Sequence, residues 1–533
     1  MIFACALYPR DGHFLDLVRK EVTQQVARLA AHPSIVIWGG SNENEYAMQW
    51  FNLSRVNRDL YVADYVKLYL DTIRPSVLSS DPEGRPFVDS SPSNGLISSD
   101  LDGRSPLVKR WGDAMGDAPD YPQAPSWGDR HYYNYNADCE DPSTYPLARF
   151  ISTHGFQSFP SFESYAPVTA PEDHSRDSWL LFYRQRHQLG NEQVEKMIAY
   201  DCPPSSGREV DELALQGAPH RPDGPLIAYD CLPHQVEKMM SSHFKVPPAN
   251  VSTMQPKVFS DYLWLTQLQQ GRCYETAFAQ WRRQRSMPTN TMGVLYWQLN
   301  DIWPGPSWST IEFDGTPKLS HHGVARAFAP VLVSATEAVG TGMLTVHLTS
   351  DLTRDLSDDL DLEIYRWADS PAVVLWRVTH LAVAPALGTQ EGYTVNIDDL
   401  LAAASGGAGP KLTRNETFVR LSFGGNGTGP IEAFHFWTPM KYATLPKASV
   451  VVLSVDVPSP SVGGLNASVR LRAERTAAFV SLASLHVAGA FSDGAFMMLA
   501  GSEKTITFTA QKQGSWDDFG VGLRVRSLCD TFD

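Results

Sequence analysis

The chain has 533 residues, of which 43% are hydrophobic and 19% charged, the make-up of a folded globular protein and not of a disordered one. A formal net charge of −15 argues against nucleic acid or an anionic membrane as partner, since both require a basic face. No apolar run approaches the ~18–20 residues that cross a bilayer, and the length exceeds the ~250–300 residues at which one core stops growing, so more than one domain is expected.

In chain order, "MIFACAL" reads as a buried strand that exits through Pro9-Arg10-Asp11-Gly12, rather than as a signal peptide. "FLDLVRKEVTQQVARLAA" has apolar residues at helical spacing, and "SIVIWGG" is the continuous apolar run of a strand buried on both faces. "LYVADYVKLYLDTIR" predicts the next helix and "RPFVDSS" the next strand, an alternation that marks βα units over residues 1–329. The pentapeptides "QVEKM" (193–197, 235–239) and "IAYDC" (198–202, 227–231) occur twice around a Pro/Gly-rich stretch and predict a duplicated surface loop. Beyond "VARAFAPVLVSA" the pattern turns to short β-branched runs such as "MLTVHLTS", "LDLEIYRW", "SVVVLSVDV" and "KTITFTA", which predict two β-sandwiches over 330–443 and 444–533.

Six cysteines without CxxC spacing read as buried free thiols, and five N-x-S/T sequons begin at Asn52, Asn250, Asn415, Asn426 and Asn466. Three stretches carry chemistry. In "SIVIWGGSNENE" a greasy strand ends at Gly39-Gly40 and releases Asn42 and Glu43; a partly desolvated carboxylate at a strand end suits general-acid work, while a helix N-terminus rich in acid is the plainer alternative. "LYWQLNDIWPGPSW" sets Trp297, Asn300 and Asp301 together, aromatic face beside amide and carboxylate, which suits a sugar and equally suits core packing. "WGDRHYYNYNAD" groups Trp127, Asp129, His131 and Tyr132; a single histidine without a partner at ligand spacing argues against a metal.

Taken with "FACALYPRDGHFLD", "RPFVDSSPSNG", "RFISTHGFQSFPS" and the terminal "SLCDTF", these stretches occur in an order that resembles the β-mannosidases of glycoside hydrolase family 2. The resemblance covers nearly the whole chain apart from the duplicated loop. It implies a (β/α)8 TIM-type barrel flanked by immunoglobulin-like β-sandwiches, no cofactor, and removal of a terminal non-reducing β-mannose with retention. It assigns Glu43 as acid/base and Asn42 as the binder of the 2-hydroxyl, with Ser41 in place of a usual Asn; Trp127, His131, Tyr132, Trp297, Asn300 and Asp301 become substrate-binding candidates. β-Mannoside oligosaccharides or N-glycan fragments are the implied partners, and a lysosomal or secreted location is the implied compartment.

The segment around the family's nucleophile resembles R-F-x-S-E-[FY]-G-[FY]-Q-S, and here it reads Arg149-Phe150-Ile151-Ser152-Thr153-His154-Gly155-Phe156-Gln157-Ser158. Thr153 stands where the resemblance expects glutamate. A threonine hydroxyl without an activating base is a poor nucleophile and does not stabilise an oxocarbenium ion. Glu163 as a substitute carboxylate and His154 as a base for direct water attack are the two alternatives. With Glu43 after the fourth strand, only "MIFACAL" precedes it as a third, so the expectation is an incomplete barrel with exposed parallel edges. Three readings follow: a β-mannosidase-type hydrolase, a non-catalytic sugar-binding relative, and an interaction module built on the sandwiches.

Overall fold

A computed structural model describes residues 3–48, 56–92, 129–135, 137–175, 178–184, 234–246, 256–338, 340–406, 411–424, 430–447, 449–458, 464–512 and 516–531. Trp127 and the first copy of the duplicated stretch lie outside them. The chain divides into two compact units: Met1–Tyr133 with Pro146–His154 and Gln284–Tyr296, and Asn134–Tyr145 with Gly155–Arg283 and Trp297–Asp533.

The first unit is built on parallel pairing. The helix Gly12–Leu29 starts where the Asp11 carboxylate accepts a hydrogen bond from the Phe14 amide at 3.0 Å, and it buries Leu15, Val18, Val22 and Val26 along one stripe. That stripe meets Phe3, Tyr65, Leu68, Tyr69, Ile73, Val77 and Phe87 in one apolar core. The helical run over Arg58–Tyr65, Val66–Ile73 and Arg74–Ser80 supplies most of the facing residues. Trp38–Gly39 pairs in parallel with Phe87–Val88, and single bridges extend the ladder from Phe3 to Ser41 and from Asn42 to Ser91. A three-stranded parallel sheet places Phe150–His154 between Arg130–Tyr132 and Gly293–Val294. The run "SIVIWGG" departs from the reading of a strand buried throughout: Val36 and Ile37 are exposed, because backbone pairing begins only where the Trp38 amide donates to Pro86.

The second unit has the 28-residue helix Pro256–Arg283 and two antiparallel sandwiches. In the first sandwich the sheet Thr389–Asn396, Met343–Ser350, Val331–Ala338 accompanies the sheet Ile431–His435, Thr417–Phe423, Leu356–Arg366, Val374–Ala384. Period-two alternation puts Leu344, Val346 and Leu348 into its core with Leu360, Leu362 and Ile364. In the second, Val450–Asp456, Asn466–Ala473, Glu503–Ala510 and Gly489–Phe491 form one sheet, and Phe496–Met498, Ala477–Ser484 and Leu523–Arg526 the other. Val469, Leu471, Val480, Ile506 and Phe508 fill the space between.

The cysteines correct the expectation of free thiols. Cys139 and Cys273 form a disulfide across 134 residues of sequence, while Cys5 and Cys529 are free. Spacing could not reveal a bridge between residues so far apart; it closes because the segment Asn134–Tyr145 packs on the long helix, where the Tyr145 ring meets Trp281 edge-on at 5.2 Å between centroids. Beside it, buried His243 has Nε2 2.9 Å from the Asp138 carboxylate and Nδ1 3.7 Å from Glu140, whose other oxygen takes Arg272 at 3.0 Å. Burial opposes the charged imidazole, but Glu140 and Asp138 outweigh it and hold the His243 pKa above its ordinary value.

Cys273→Ser is expected to lower unfolding stability by about 2–4 kcal/mol in urea titrations under oxidising conditions and to change nothing under reducing ones. For His243, whose folded pKa is raised, the stabilisation is complete below the unfolded value and is lost as pH rises through the folded one. Urea titrations of His243→Gln against the parent should therefore show a deficit in mildly acidic buffer that shrinks in alkaline buffer.

Candidate active site

Residues Ser41 to Glu43 lie between two parallel neighbours. The Asn42 amide donates to Phe3 O at 2.9 Å, the Glu43 amide to Ser91 O at 2.8 Å, and the Ser91 amide to Ser41 O at 3.0 Å. Glu43 adopts φ +57°, in the left-handed region that a residue with a Cβ rarely enters and that costs about 1–3 kcal/mol. The next residue is pinned too: buried Asn44 donates its side-chain amide to Ala6 O at 2.6 Å. Such strain persists where surrounding bonds over-determine it, and here those bonds aim one carboxylate.

Its target is His131. The ring Nδ1 lies 2.6 Å from Glu43 Oε1, with the two side chains 7% and 16% exposed, so solvent screens the contact little. His131 Nε2 lies 3.0 Å from Ser91 Oγ, and Ser91 Oγ in turn contacts the Asp129 carboxylate. Ser152 Oγ donates to the same carboxylate oxygen at 2.5 Å. On the neighbouring strand, Thr153 is the register partner of His131 and His154 that of Tyr132.

The Thr153 hydroxyl lies 2.9 Å from the Tyr133 hydroxyl. Burial pushes the Tyr133 pKa up, the bond to Thr153 opposes this, and the charge on Glu43 adds to it. His154 points away from that chemistry: it is buried, its Nδ1 lies 2.8 Å from Tyr132 O, and burial lowers its pKa to about 4. Tyr132 stacks on the His154 ring at 6.0 Å between centroids.

The remaining candidates belong to the second unit. Trp297 is half exposed and its peptide to Gln298 is cis. Asn300 donates to Asp301 O at 3.0 Å. Asp301 is buried, its carboxylate accepting from Ser309 Oγ at 2.7 Å and lying 3.4 Å from the ammonium of the fully buried Lys318. Burial lowers the Lys318 pKa, and Asp301 and Glu312 counter it. Glu163 sits in the first turn of the short helix Phe162–Tyr165, also in this unit.

Sequence reasoning missed four members of the first-unit cluster, Ser91, Tyr133, Ser152 and Cys5. The signal for Tyr133 was available: in an extended strand Asp129, His131 and Tyr133 fall on one face at period two. Cys5 is an exposed free thiol whose pKa is raised, first by partial desolvation and then by the Glu43 charge.

Residues 450–531 match an Ig-fold domain of mannosidases and residues 342–442 a mannosidase Ig/CBM-like domain. The chain is 34% identical over its whole length to a β-mannosidase of Bos taurus and 29% identical to β-mannosidase A of Neosartorya fischeri. It covers 53% and 52% of those proteins, so it spans about half the length of the curated relatives it matches. Among solved structures, the β-D-mannosidase of Dictyoglomus thermophilum superposes with a TM-score of 0.67 at 21% identity, over 99% of this chain and 52% of the other. The exo-chitosanase CsxA of Amycolatopsis orientalis gives 0.58 at 11% identity, over 97% and 53%. The chain is thus of a glycosidase family with C-terminal Ig-like β domains. Within that class it belongs to the β-mannosidases of glycoside hydrolase family 2.

Thr153→Val keeps the shape and removes the hydroxyl. It is expected to cost about 0.5–1.5 kcal/mol in denaturant unfolding through loss of the Tyr133 bond.

Proposed function

We propose that this chain carries the acid/base half of a retaining β-mannosidase site, and that with threonine at position 153 it binds terminal non-reducing β-D-mannosides without efficient turnover. The observation that carries the reading is the pairing of a held carboxylate with a missing one: Glu43 is fixed against His131, and the register partner of His131 offers only the Thr153 hydroxyl, met by Tyr133. In the parent chemistry one carboxyl protonates the leaving oxygen while a second, ~5–5.5 Å away, attacks the anomeric carbon. Glu43 serves the first step. For the second, an alcohol neither attacks readily nor stabilises the oxocarbenium ion, and a fall on the order of 10⁴–10⁶ in kcat follows, or ~5–8 kcal/mol of barrier.

Asn42, His131 and Tyr132 are the sugar contacts of the first unit in this reading; within the second unit, Asp301 with Lys318 holds the segment that carries Trp297 and Asn300. The parallel segments of residues 1–329 are read as part of a (β/α)8 barrel, with Ig-like domains at 330–443 and 444–533. The chemistry uses no cofactor and no metal. Oligosaccharides ending in β-mannose, including N-glycan fragments, are the substrate class. The Cys139–Cys273 bridge supports a route through an oxidising compartment, lysosomal or secreted.

Hydrolysis of an aryl β-mannoside by the parent and by Thr153→Glu tests the proposal. The variant is expected to exceed the parent by ~10²-fold or more, and Glu43→Gln in the Thr153→Glu background to abolish the gain. A parent as fast as the variant would overturn it.

A further inference from the structure

Around His131 the donors and acceptors can be counted, and the count fixes where its protons sit. A carboxylate only accepts, so both hydroxyls in contact with the same Asp129 oxygen, Ser91 Oγ and Ser152 Oγ, spend their single hydrogens on it. The other neighbours are weaker: Ser91 Oγ to Ser152 Oγ and Ser152 Oγ to Arg130 O are both 3.4 Å, and Asp129 is 3.9 Å from His131 Nε2. With its hydrogen committed, Ser91 Oγ is left as an acceptor, and the atom 3.0 Å from it is His131 Nε2. That nitrogen must bring the hydrogen. On the far side of the ring, Nδ1 and Glu43 Oε1 are 2.6 Å apart and one proton lies between them.

We propose that Asp129, acting through Ser91, is a positioning residue that fixes His131 as its Nε2–H form, so that Nδ1 and the Glu43 carboxyl hold a single shared proton. This rests on Glu43 being the acid/base. With the proton on Glu43, the carboxylic O–H donates to the bare Nδ1. When Glu43 gives that proton to a departing alkoxide oxygen, the O–H bond breaks, the leaving group carries the proton away as an alcohol, and the carboxylate left behind faces Nδ1. A water whose oxygen bonds the anomeric carbon then gives up a proton that restores the pair, either on the carboxyl or on Nδ1. In the second case both ring nitrogens carry hydrogen, donating to Glu43 and to Ser91. Every state keeps Nε2–H, because Ser91 never has a hydrogen to offer it. The opposite tautomer would present an N–H to Glu43 at all times and would stabilise the ionised carboxylate, the wrong form for protonating a leaving group.

The test is the ¹⁵N NMR signature of the His131 ring in the full-length chain labelled at histidine, assigned by its loss in His131→Gln and followed across a pH titration. The expected result is a protonated, pyrrole-type Nε2 throughout, with the titration confined to Nδ1. Asp129→Ala removes the acceptor and frees Ser91 to donate, so neutral His131 should shift to Nδ1–H; Ser91→Ala reads the same link if the first variant does not fold. A pyridine-type Nε2 in the neutral parent would overturn the proposal, as would variants that leave the tautomer unchanged. The readout needs no sugar and no turnover, so a parent inactive with every mannoside leaves it decisive. Conversely, the expected tautomer in a Thr153→Glu chain that still fails to hydrolyse mannosides would reject the functional reading alone.

Discussion

The 2.6 Å contact between Glu43 and His131 is the constraint on which the rest of the site depends. It joins the end of one parallel ladder to another strand, and it explains why a residue with a Cβ holds φ +57°. Two backbone bonds, from Asn42 to Phe3 and from Glu43 to Ser91, set the carboxylate's origin, and the imidazole sets its end. The apolar core of Phe3, Leu15, Val18, Tyr69 and Phe87 gives those strands a fixed base. Nearby, burial raises the pKa of the Tyr133 phenol, with the bond to Thr153 opposing and the Glu43 charge adding.

On the neighbouring strand the proposed nucleophile position carries a threonine. Arg149-Phe150-Ile151-Ser152 and Gly155-Phe156-Gln157-Ser158 keep the pattern of the family, and the strand Phe150–His154 still pairs on both sides. One side chain departs, and its hydroxyl has settled against Tyr133. With threonine at 153 the ladder is intact on both sides of the strand. The strand is held by its backbone and by buried Ile151, so it does not depend on which side chain stands at 153.

Much of this was legible in the sequence, for reasons that differ by element. The sandwiches announced themselves through period-two runs such as Leu344, Val346 and Leu348, since alternation is the direct consequence of one buried face. The stripe Leu15, Val18, Val22, Val26 announced its helix in the same way. Glu43 and His131 were singled out by strand-end position and residue grouping, and Thr153 by the family resemblance alone. What spacing could not carry was partnership across the fold. The Cys139–Cys273 bridge depends on two elements meeting, the Ser91–Asp129–Ser152 cluster on three strands, and the burial of Asp301 on Lys318. Val36 and Ile37 misled in the other direction, since apolar character says what can be buried and pairing decides what is.

The central claim, an intact acid/base facing a vacant nucleophile position, meets its most direct test in aryl β-mannoside turnover with and without added azide. The small anion can attack the anomeric carbon from the side the missing carboxylate would have used, while Glu43 protonates the departing oxygen. The account predicts aglycone release that requires azide and yields the α-mannosyl azide. Release that proceeds equally without azide and gives free β-mannose would mean that another group of this chain serves as nucleophile, and would contradict it.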